Sequence, residues 1–226
     1  LKLNLIFFDA TCPLVSKIHR EVENLERLNV PILLIGHQNH PEVVGTMGQI
    51  KSEIYLIEKK EDLSKLPFDN NKKIAYVTQT TLSVDDTLSI INEIKKKFSN
   101  VIEPRKKDIC YATTNRQNAV KKIAAKCDIF IVIGAKNSSN SLRLVEVAKQ
   151  YGAKKSILVE NVEGFEQKQL INIKNIGITA SASAPEILVQ NFIKSLKKKY
   201  KVELMEQQYI PENINFKIPQ QLKTTN

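Results

Sequence analysis

The chain has 226 residues, of which 42% are hydrophobic, and it carries a formal net charge of +10. This composition excludes a disordered chain, and we predict no membrane association because no apolar run approaches the roughly 20 residues of a membrane span. Aromatic residues make up only 6% and do not interleave with the lysine runs, so we predict no nucleic-acid partner. Three cysteines, an odd and sparse count, indicate a reducing compartment rather than a disulfide-linked secreted protein.

Short apolar runs rich in β-branched residues recur along the chain and predict strands. Amphipathic segments between most of these runs predict helices. Near-continuous apolar strands that alternate with such helices indicate an α/β fold, with parallel sheets covered on both faces. The predicted strands are residues 3–8, 30–36, 53–57, 73–77, 128–134, 155–159 and 176–179, and the predicted helices are residues 13–28, 84–98, 116–126 and 141–152.

Polar loops follow most of the predicted strands, at the ends where open parallel sheets bind ligands. Any one loop is explained by helix capping, because hydroxyl and amide side chains are common N-caps. Three loops with doubled hydroxyls instead predict a phosphate or diphosphate pocket made of neutral donors and helix dipoles. Neither GxxxxGKS/T nor GxGxxG occurs, which excludes the usual nucleotide loops. The doubled hydroxyls are Thr80 with Thr81, Ser138 with Ser139, and Ser181 with Ser183.

Two of the cysteines occupy similar places in two similar βα units. Cys12 follows Asp9 and Cys110 follows Asp108, and each cysteine precedes a predicted helix. If the units are related by rotation about a shared centre, both thiols point at one spot, where thiolates suit a soft metal. Two thiolates complete neither a zinc site nor a cubane cluster, and a third α/β unit carrying a third cysteine could lie before Leu1. Unligated cysteines and a redox-active pair, despite the absence of a CxxC spacing, remain alternatives.

Six motifs in series resemble the LytB-type family of 4-hydroxy-3-methylbut-2-enyl diphosphate reductases. The resemblance runs in order, without large gaps, from about residue 5 to about residue 195. It is carried by the segments DATCPLVSKIH, IGHQNHPEVVGTMGQ, VTQTTLSVDDT, DICYATTNRQNAV, KNSSNSLRL and TASASAPEILVQN.

The resemblance implies three α/β units arranged as a trefoil around an iron–sulfur cluster, with one cysteine from each unit. This chain would hold the second and third units, and we expect the first unit and its cysteine to precede Leu1. The implied segments are the last strand of the incomplete first unit, residues 1–12; the second unit, 13–107; the third unit, 108–195; and a C-terminal return segment, 196–226. We expect that return segment to be poorly anchored when the first unit is absent.

The resemblance also implies an activity: reductive dehydroxylation of 4-hydroxy-3-methylbut-2-enyl diphosphate to isopentenyl and dimethylallyl diphosphates, in the non-mevalonate isoprenoid pathway. A 4Fe-4S cluster with one open iron would bind the substrate oxygen. Cys12 and Cys110 match two of its ligands, Glu42 matches the proton donor, and Thr80 matches the residue that holds the substrate hydroxyl and Glu42. The residues that match the diphosphate site are His40, Ser138, Ser139, Asn140 and Ser183.

A reduced ferredoxin or flavodoxin would supply electrons, and the acidic surface of such donors agrees with the positive charge of the chain. The expected location is a bacterial cytoplasm or a plastid-type organelle. Two other functions remain open: a non-catalytic diphosphate-binding fragment without the cluster, and a basic nucleic-acid binder. Among the remaining residues, His40 is alternatively a helix cap before Pro41, His19 and His37 are surface or structural residues, and Cys127 is a small core residue.

Overall fold

The computed structural model describes residues 8–205, 210 and 214–216, and within these ranges the predicted α/β fold is confirmed. The predicted strand 3–8 lies outside the described residues apart from Phe8, as does most of the C-terminal return segment. The described residues form two compact units. Of the described residues, the first contains 8–79, 98–108 and 214–216, and the second contains 80–97, 109–205 and 210. The segment boundaries inferred from the family resemblance stay a prediction.

The first unit contains a four-stranded sheet in the order β2-β1-β3-β4, and every pair in it is parallel. One face of the sheet is covered by α1, whose Ile18, Val22 and Leu25 pack on the β-strand residues Ile32 and Leu34. The elements are α1 (Pro13–Arg27), β1 (Ile32–Ile35), α2 (Pro41–Met47), β2 (Ile54–Ile57), a 3-10 helix (Lys60–Lys65), β3 (Ile74–Thr78) and β4 (Val101–Ile102).

The second unit contains a three-stranded parallel sheet in the order β6-β5-β7. Its central strand is buried on both faces: Phe130 and Val132 join one apolar cluster, while Ile131 joins another that includes Phe192 and Leu196. The elements are α3 (Val84–Lys97), α4 (Tyr111–Ile123), a 3-10 helix (Ala124–Lys126), β5 (Ile129–Ile133), α5 (Ser139–Gln150), β6 (Ser156–Val159), a 3-10 helix (Gln167–Leu170), β7 (Ile176–Ala180) and α6 (Glu186–Lys199).

The six predicted strands within the described residues are confirmed, and so are the four predicted helices. The helix predicted from Arg116 begins earlier, at Tyr111, because Cys110 caps it and the intervening polar residues continue the helix. Sequence periodicity missed the short α2, the two-residue β4 and α6. Seven residues are too few for a helical period to be recognised in α2. Cys127 is buried in the core, as predicted.

Each sheet has a topological switch point. In the first unit, the chain passes from β1 to β2 on one side and returns to β3 on the other; in the second, β6 and β7 flank β5 in the same way. At such a point the loops after two neighbouring strands diverge and leave a crevice, where open α/β sheets bind their ligands. The switch points therefore lie between β1 and β3 and between β5 and β7. In the described part of the chain, no helix is long and apolar enough to span a membrane.

Close packing at Gly177 in β7 provides a test of the second core. A Cβ atom at this position would lie 2.6 Å from Cε2 of Phe130 and 2.8 Å from Sγ of Cys127. We expect Gly177→Ala to lower the free energy of unfolding by about 1–3 kcal/mol, the usual cost of overpacking a core. Gly45→Ala is the control, because its Cβ would meet only His19 at 3.7 Å. If chemical denaturation gives the same midpoint for Gly177→Ala and the wild type, this packing argument is wrong.

Candidate functional site

The loops after β5 and β7 approach each other closely at the switch point of the second unit. The backbone N–H of Ser181 donates to the carbonyl oxygen of Ile133 at 2.9 Å. A Cβ atom on Gly134 would clash with Oγ of Ser141 and would lie 2.9 Å from Oγ of Ser181. Glycine at 134 therefore lets two buried hydroxyls approach the end of the central strand.

The first turn of α5 carries three of the predicted diphosphate ligands. Ser138 is the N-cap, and its Oγ accepts a hydrogen bond from the N–H of Ser141 at 3.3 Å. Asn140 is only 6% exposed, yet neither its amide oxygen nor its amide nitrogen has a hydrogen-bond partner. The buried hydroxyl of Ser141 has none either. Such groups are costly to leave unpaired, which points to a polar ligand or water at this turn.

The remaining predicted diphosphate ligand of this unit, Ser183, lies across the same switch point. It is exposed, within a turn in which the N–H of Ala184 donates to the carbonyl of Ser181 at 3.0 Å. Because β5 and β7 are sheet neighbours, the α5 start and this turn emerge at the same edge. The structure thus gathers Ser138, Ser139, Asn140 and Ser183 on two adjacent loops of one unit.

The start of α3 is unsuited to bind phosphate, although it follows the doubled hydroxyls Thr80 and Thr81. Its N–H groups already have protein acceptors: Val84 donates to Oε1 of Gln117 at 3.0 Å, and Asp86 donates to Oγ of Ser83 at 3.2 Å. Two aspartates in its first turn would also repel an anion. The anion pocket predicted from three loops therefore narrows to the loops after β5 and β7.

The cysteine of the second unit lies at the N-terminus of a helix, as predicted. Cys110 is the N-cap of α4, and its Sγ accepts a hydrogen bond from the N–H of Thr113 at 3.4 Å. The N–H of Cys110 donates to the carbonyl of Thr80 at 3.0 Å, which joins two predicted site residues. A hydrogen-bond donor and the N-terminus of α4 thus both lie at the sulfur that is predicted to bind a metal.

Sequence reasoning assigned no role to Thr113, whose buried hydroxyl lies in the first turn of the same helix. Its Oγ1 atom has no hydrogen-bond partner. The signal was present in the sequence: Thr113 and Gln117 are polar, but they lie on the same stripe of α4 as the buried residue Val120. Polar residues on a buried stripe are either paired or available to a ligand.

The cysteine of the first unit also begins a helix. Cys12 is the N-cap of α1, followed by Pro13 at the first helical position, and its side chain is exposed and makes no capping hydrogen bond. Cys12 and Cys110 belong to different compact units. That their sulfurs meet at one centre stays a prediction.

His40 and Glu42 lie at the start of α2, in the loop after β1. Nδ1 of His40 accepts a hydrogen bond from the N–H of Glu42 at 3.2 Å, so the alternative interpretation of His40 as a helix cap is confirmed. Burial and the nearby charge of His37 lower the pKa of His40 below its usual value. The ring is therefore neutral at pH 7, and because Nδ1 is an acceptor the proton lies on Nε2. Capping thus leaves His40 one N–H donor for a ligand.

The other histidines take part in local structure, as predicted. The backbone N–H of His37 donates to the side chain of Gln79 at 3.1 Å, which links the loops after β1 and β3 at the switch point of the first unit. His19 lies between α1 and α2, where its Nε2 atom is 3.7 Å from the position of a Cβ on Gly45.

A buried carboxylate fixes the chain just before Cys110. The side chain of Asp108 is fully buried, and it accepts hydrogen bonds from Nζ of Lys17 at 2.8 Å and from the N–H of Thr78 at 2.9 Å. Burial raises the pKa of Asp108, and the charge and hydrogen bond of Lys17 only partly oppose this. Asp108 thereby joins the end of β3, helix α1 and the segment that leads to Cys110.

The donor chemistry of both cysteines fits an iron–sulfur cluster, since each sulfur lies at the N-terminus of a helix. Two thiolates are fewer than such a cluster needs. Among residues 8–205, 210 and 214–216, no group of three or more histidine, cysteine, aspartate or glutamate side chains is placed to hold a metal. These residues therefore fit part of a cluster's ligand set.

A family profile described as "LytB protein" matches residues 1–197, which is most of the chain. The chain belongs to the LytB family. It is 49% identical over 226 residues to the 4-hydroxy-3-methylbut-2-enyl diphosphate reductase of Wigglesworthia glossinidia brevipalpis, covering 98% of this chain and 71% of that protein. It is 47% identical over 221 residues to the enzyme of the same name from Brucella abortus (strain S19), covering 97% of this chain and 64% of that protein.

Two solved structures resemble this member of the LytB family. The E-1-hydroxy-2-methyl-but-2-enyl-4-diphosphate reductase from Plasmodium falciparum aligns with a TM-score of 0.80 and 42% identity, over 84% of this chain and 59% of that one. A second structure, of (E)-4-hydroxy-3-methyl-but-2-enyl diphosphate reductase, aligns with a TM-score of 0.52 and 31% identity, over 84% and 67%. The chain thus spans about 59–71% of these family members.

The pH dependence of stability separates two properties of His40, its role as a helix cap and its lowered pKa. Because the folded state has the lowered pKa, the unfolded state takes up the proton first as the pH falls below about 6.5, and folding stability is lost until the folded pKa is reached. His40→Asn keeps an acceptor for the N–H of Glu42 but does not titrate. We expect wild type to lose more stability than His40→Asn between about pH 7 and pH 5.

His40→Ala is the control, since it removes the cap and should be about 1 kcal/mol less stable than His40→Asn at every pH. The measurement is the free energy of unfolding by urea across this pH range. Parallel pH curves for the wild type and His40→Asn would show that the His40 pKa is not lowered.

Proposed function

We propose that the protein containing this chain reduces 4-hydroxy-3-methylbut-2-enyl diphosphate to isopentenyl and dimethylallyl diphosphates in the non-mevalonate pathway. Family membership and the names of the relatives support the reaction class. The observation that carries the proposal to this chain is the buried, unpartnered amide of Asn140 in the first turn of α5. Its amide N–H groups are donors that a diphosphate oxygen would satisfy.

The diphosphate end of the substrate would be held by neutral donors. Ser138, Ser139 and Asn140 lie at the N-terminus of α5, where the helix dipole favours negative charge, and Ser183 lies on the neighbouring loop. In the first unit, the Nε2–H of His40 is a further neutral donor for an anion. Neutral donors of this kind would bind diphosphate through hydrogen bonds and the helix dipole, without an ion pair.

Cys12 and Cys110 would be two ligands of a 4Fe-4S cluster, with further ligands from outside the described residues. Such a cluster, when bound, supplies electrons and an open iron site for the substrate oxygen. The N–H of Thr113, in the first turn of α4, donates to the Cys110 sulfur that would take this role.

The overall reaction breaks the allylic C–O bond, releases the oxygen as water and forms one C–H bond, with two electrons and two protons consumed. Glu42, in the first turn of α2, would deliver the proton that lets the hydroxyl leave as water. Thr80 would orient the hydroxyl, and its carbonyl already accepts from the N–H of Cys110, so the two positions are coupled. The buried hydroxyl of Thr113, which has no hydrogen-bond partner in the chain, would be a further polar contact for the reacting end.

Electrons would come from a reduced ferredoxin or flavodoxin, whose acidic surface suits the basic chain of net charge +10. The bacterial cytoplasm or a plastid-type organelle is the expected location. The second candidate is a non-catalytic diphosphate-binding protein without the cluster. It is favoured by the absence, among the described residues, of three metal-ligating side chains in one group.

Replacement of Asn140 tests the diphosphate site. Asn140→Leu removes both amide groups, and a hydrogen bond to a charged partner contributes about 1.5–3 kcal/mol, so inorganic pyrophosphate should bind about 10–100-fold more weakly. Folding stability should stay the same or rise, because an unpaired buried amide is lost. Asn137→Ala, at an exposed position of the same loop, is the control. Unchanged pyrophosphate affinity in calorimetry would contradict this assignment.

The cysteines distinguish the two candidate functions. In the protein as its gene encodes it, reconstituted anaerobically with iron and sulfide, we expect Cys12→Ser and Cys110→Ser each to lower bound iron and visible absorbance strongly. Cys127→Ala should retain both, because this thiol is buried in the core and burial raises its pKa. Equal iron content in all variants, or none in the wild type, would favour the cluster-free candidate.

A further inference from the structure

Gln117 makes an unusual pair of contacts for a side chain in the middle of a helix. It lies on α4, two turns after Cys110, and it is completely buried. Its amide nitrogen donates to the carbonyl oxygen of Leu82 at 2.8 Å, and its amide oxygen accepts from the N–H of Val84 at 3.0 Å. Both backbone groups belong to residues 80–84, the loop that carries Thr80 and leads into α3.

The two hydrogen bonds require an amide in one orientation. Val84 begins α3, so its N–H is one of the donors that the helix itself cannot satisfy. The carbonyl of Leu82 needs a donor at the same place. Only asparagine and glutamine offer a donor and an acceptor side by side in this way, and only glutamine has the length found here. A glutamate of the same shape would set an oxygen against the carbonyl of Leu82.

Other hydrogen bonds also tie the 80–84 loop to the helices of the same unit. The N–H of Cys110 donates to the carbonyl of Thr80 at 3.0 Å, and Oγ1 of Thr81 donates to Oγ of Ser139 at 3.2 Å. The first tie leads to the N-terminus of α4, and the second leads to the first turn of α5. Gln117 supplies a further tie, to Leu82 and Val84 in the part of the loop that follows Thr81.

We propose that Gln117 is a positioning residue that keeps Thr80 in register with Cys110 and Thr113, and so sets where the reacting end of an allylic diphosphate lies. This inference rests on the proposed function. The diphosphate end is held mainly by α5 and the loop after β7, whereas both amide hydrogen bonds of Gln117 go to the backbone of Leu82 and Val84. Loss of Gln117 therefore disturbs recognition of the organic part of the substrate selectively.

The expected effect of replacing Gln117 can be estimated from residues with a similar role in other proteins. Groups that orient the residues in direct contact with a metal or substrate typically change affinity or activity about 10–100-fold when they are replaced. We expect a decrease of this order in kcat/KM for the allylic diphosphate, while the Kd of inorganic pyrophosphate stays within about twofold. A purely structural role would weaken both ligands together or neither.

The experiment uses the protein as its gene encodes it, with Gln117→Glu and Gln117→Met as variants. Glutamate keeps the shape and loses the donor, whereas methionine keeps the volume and loses both polar groups. Gln150→Glu, at an exposed position of α5, is the matched control. Calorimetry measures the Kd of pyrophosphate and of the allylic diphosphate, steady-state kinetics measure kcat and KM, and iron analysis reports cluster content. Hydrogen exchange should become faster at the N–H of Val84 in Gln117→Met, which loses the acceptor for this group.

Selective loss of the allylic compound, with pyrophosphate affinity and iron content preserved, is the expected result. Equal effects on both ligands, no effect, or failure of both variants to fold would overturn the positioning role. If the wild type binds the allylic compound more tightly than pyrophosphate but does not reduce it, the proposed reaction fails while the Gln117 inference is still decided by the two Kd values. A wild type without that preference contradicts both.

Discussion

Parallel strand pairing is the constraint on which the rest of this molecule depends. Each registered strand pair in both described sheets is parallel, so the loops that follow the strands of one sheet emerge at one edge. The strand order then leaves a crevice beside the central strand of each sheet. Candidate residues far apart in the sequence, such as Ser138 and Ser183, are brought to neighbouring loops by this arrangement alone. The position of the candidate site at the sheet edge is thus determined by the strand order and the parallel pairing.

Buried polar side chains then fix those loops. Asp108 is held by Lys17 and by the backbone of Thr78, and a buried charge that keeps such partners is costly to disturb. Gln117 does the same for the loop after β3 with two neutral hydrogen bonds. Asp108 lies two residues before Cys110, and Gln117 lies in the helix that Cys110 caps. Backbone position near Cys110 is therefore determined by side chains that the substrate would not touch.

The sequence was sufficient for the α/β class, for six strands within the described residues and for both cysteines at helix starts, because these features follow from local periodicity and capping. It was not sufficient for Gln117 or Thr113. A polar residue on a helix stripe does not reveal whether its partner is the protein or a ligand, since that depends on a loop distant in the sequence. For the same reason, the hydroxyls at Thr80 and Thr81 suggested an anion site that the start of α3 does not provide.

The second unit separates two kinds of buried polar group with different consequences. The amide of Gln117 is paired with backbone groups at both its nitrogen and its oxygen. These hydrogen bonds stabilise one conformation of the loop that they hold. Asn140 and Thr113 are equally removed from solvent but have no protein partner, so they cost stability in the folded chain. A fold can retain such unpaired groups where a ligand supplies the missing hydrogen bonds. The stability that they cost the free protein is offset by well-packed strands such as β5. The paired amide of Gln117 on α4 therefore marks a residue that supports the site. The unpaired amide of Asn140 on α5 marks a residue that is available to contact the ligand.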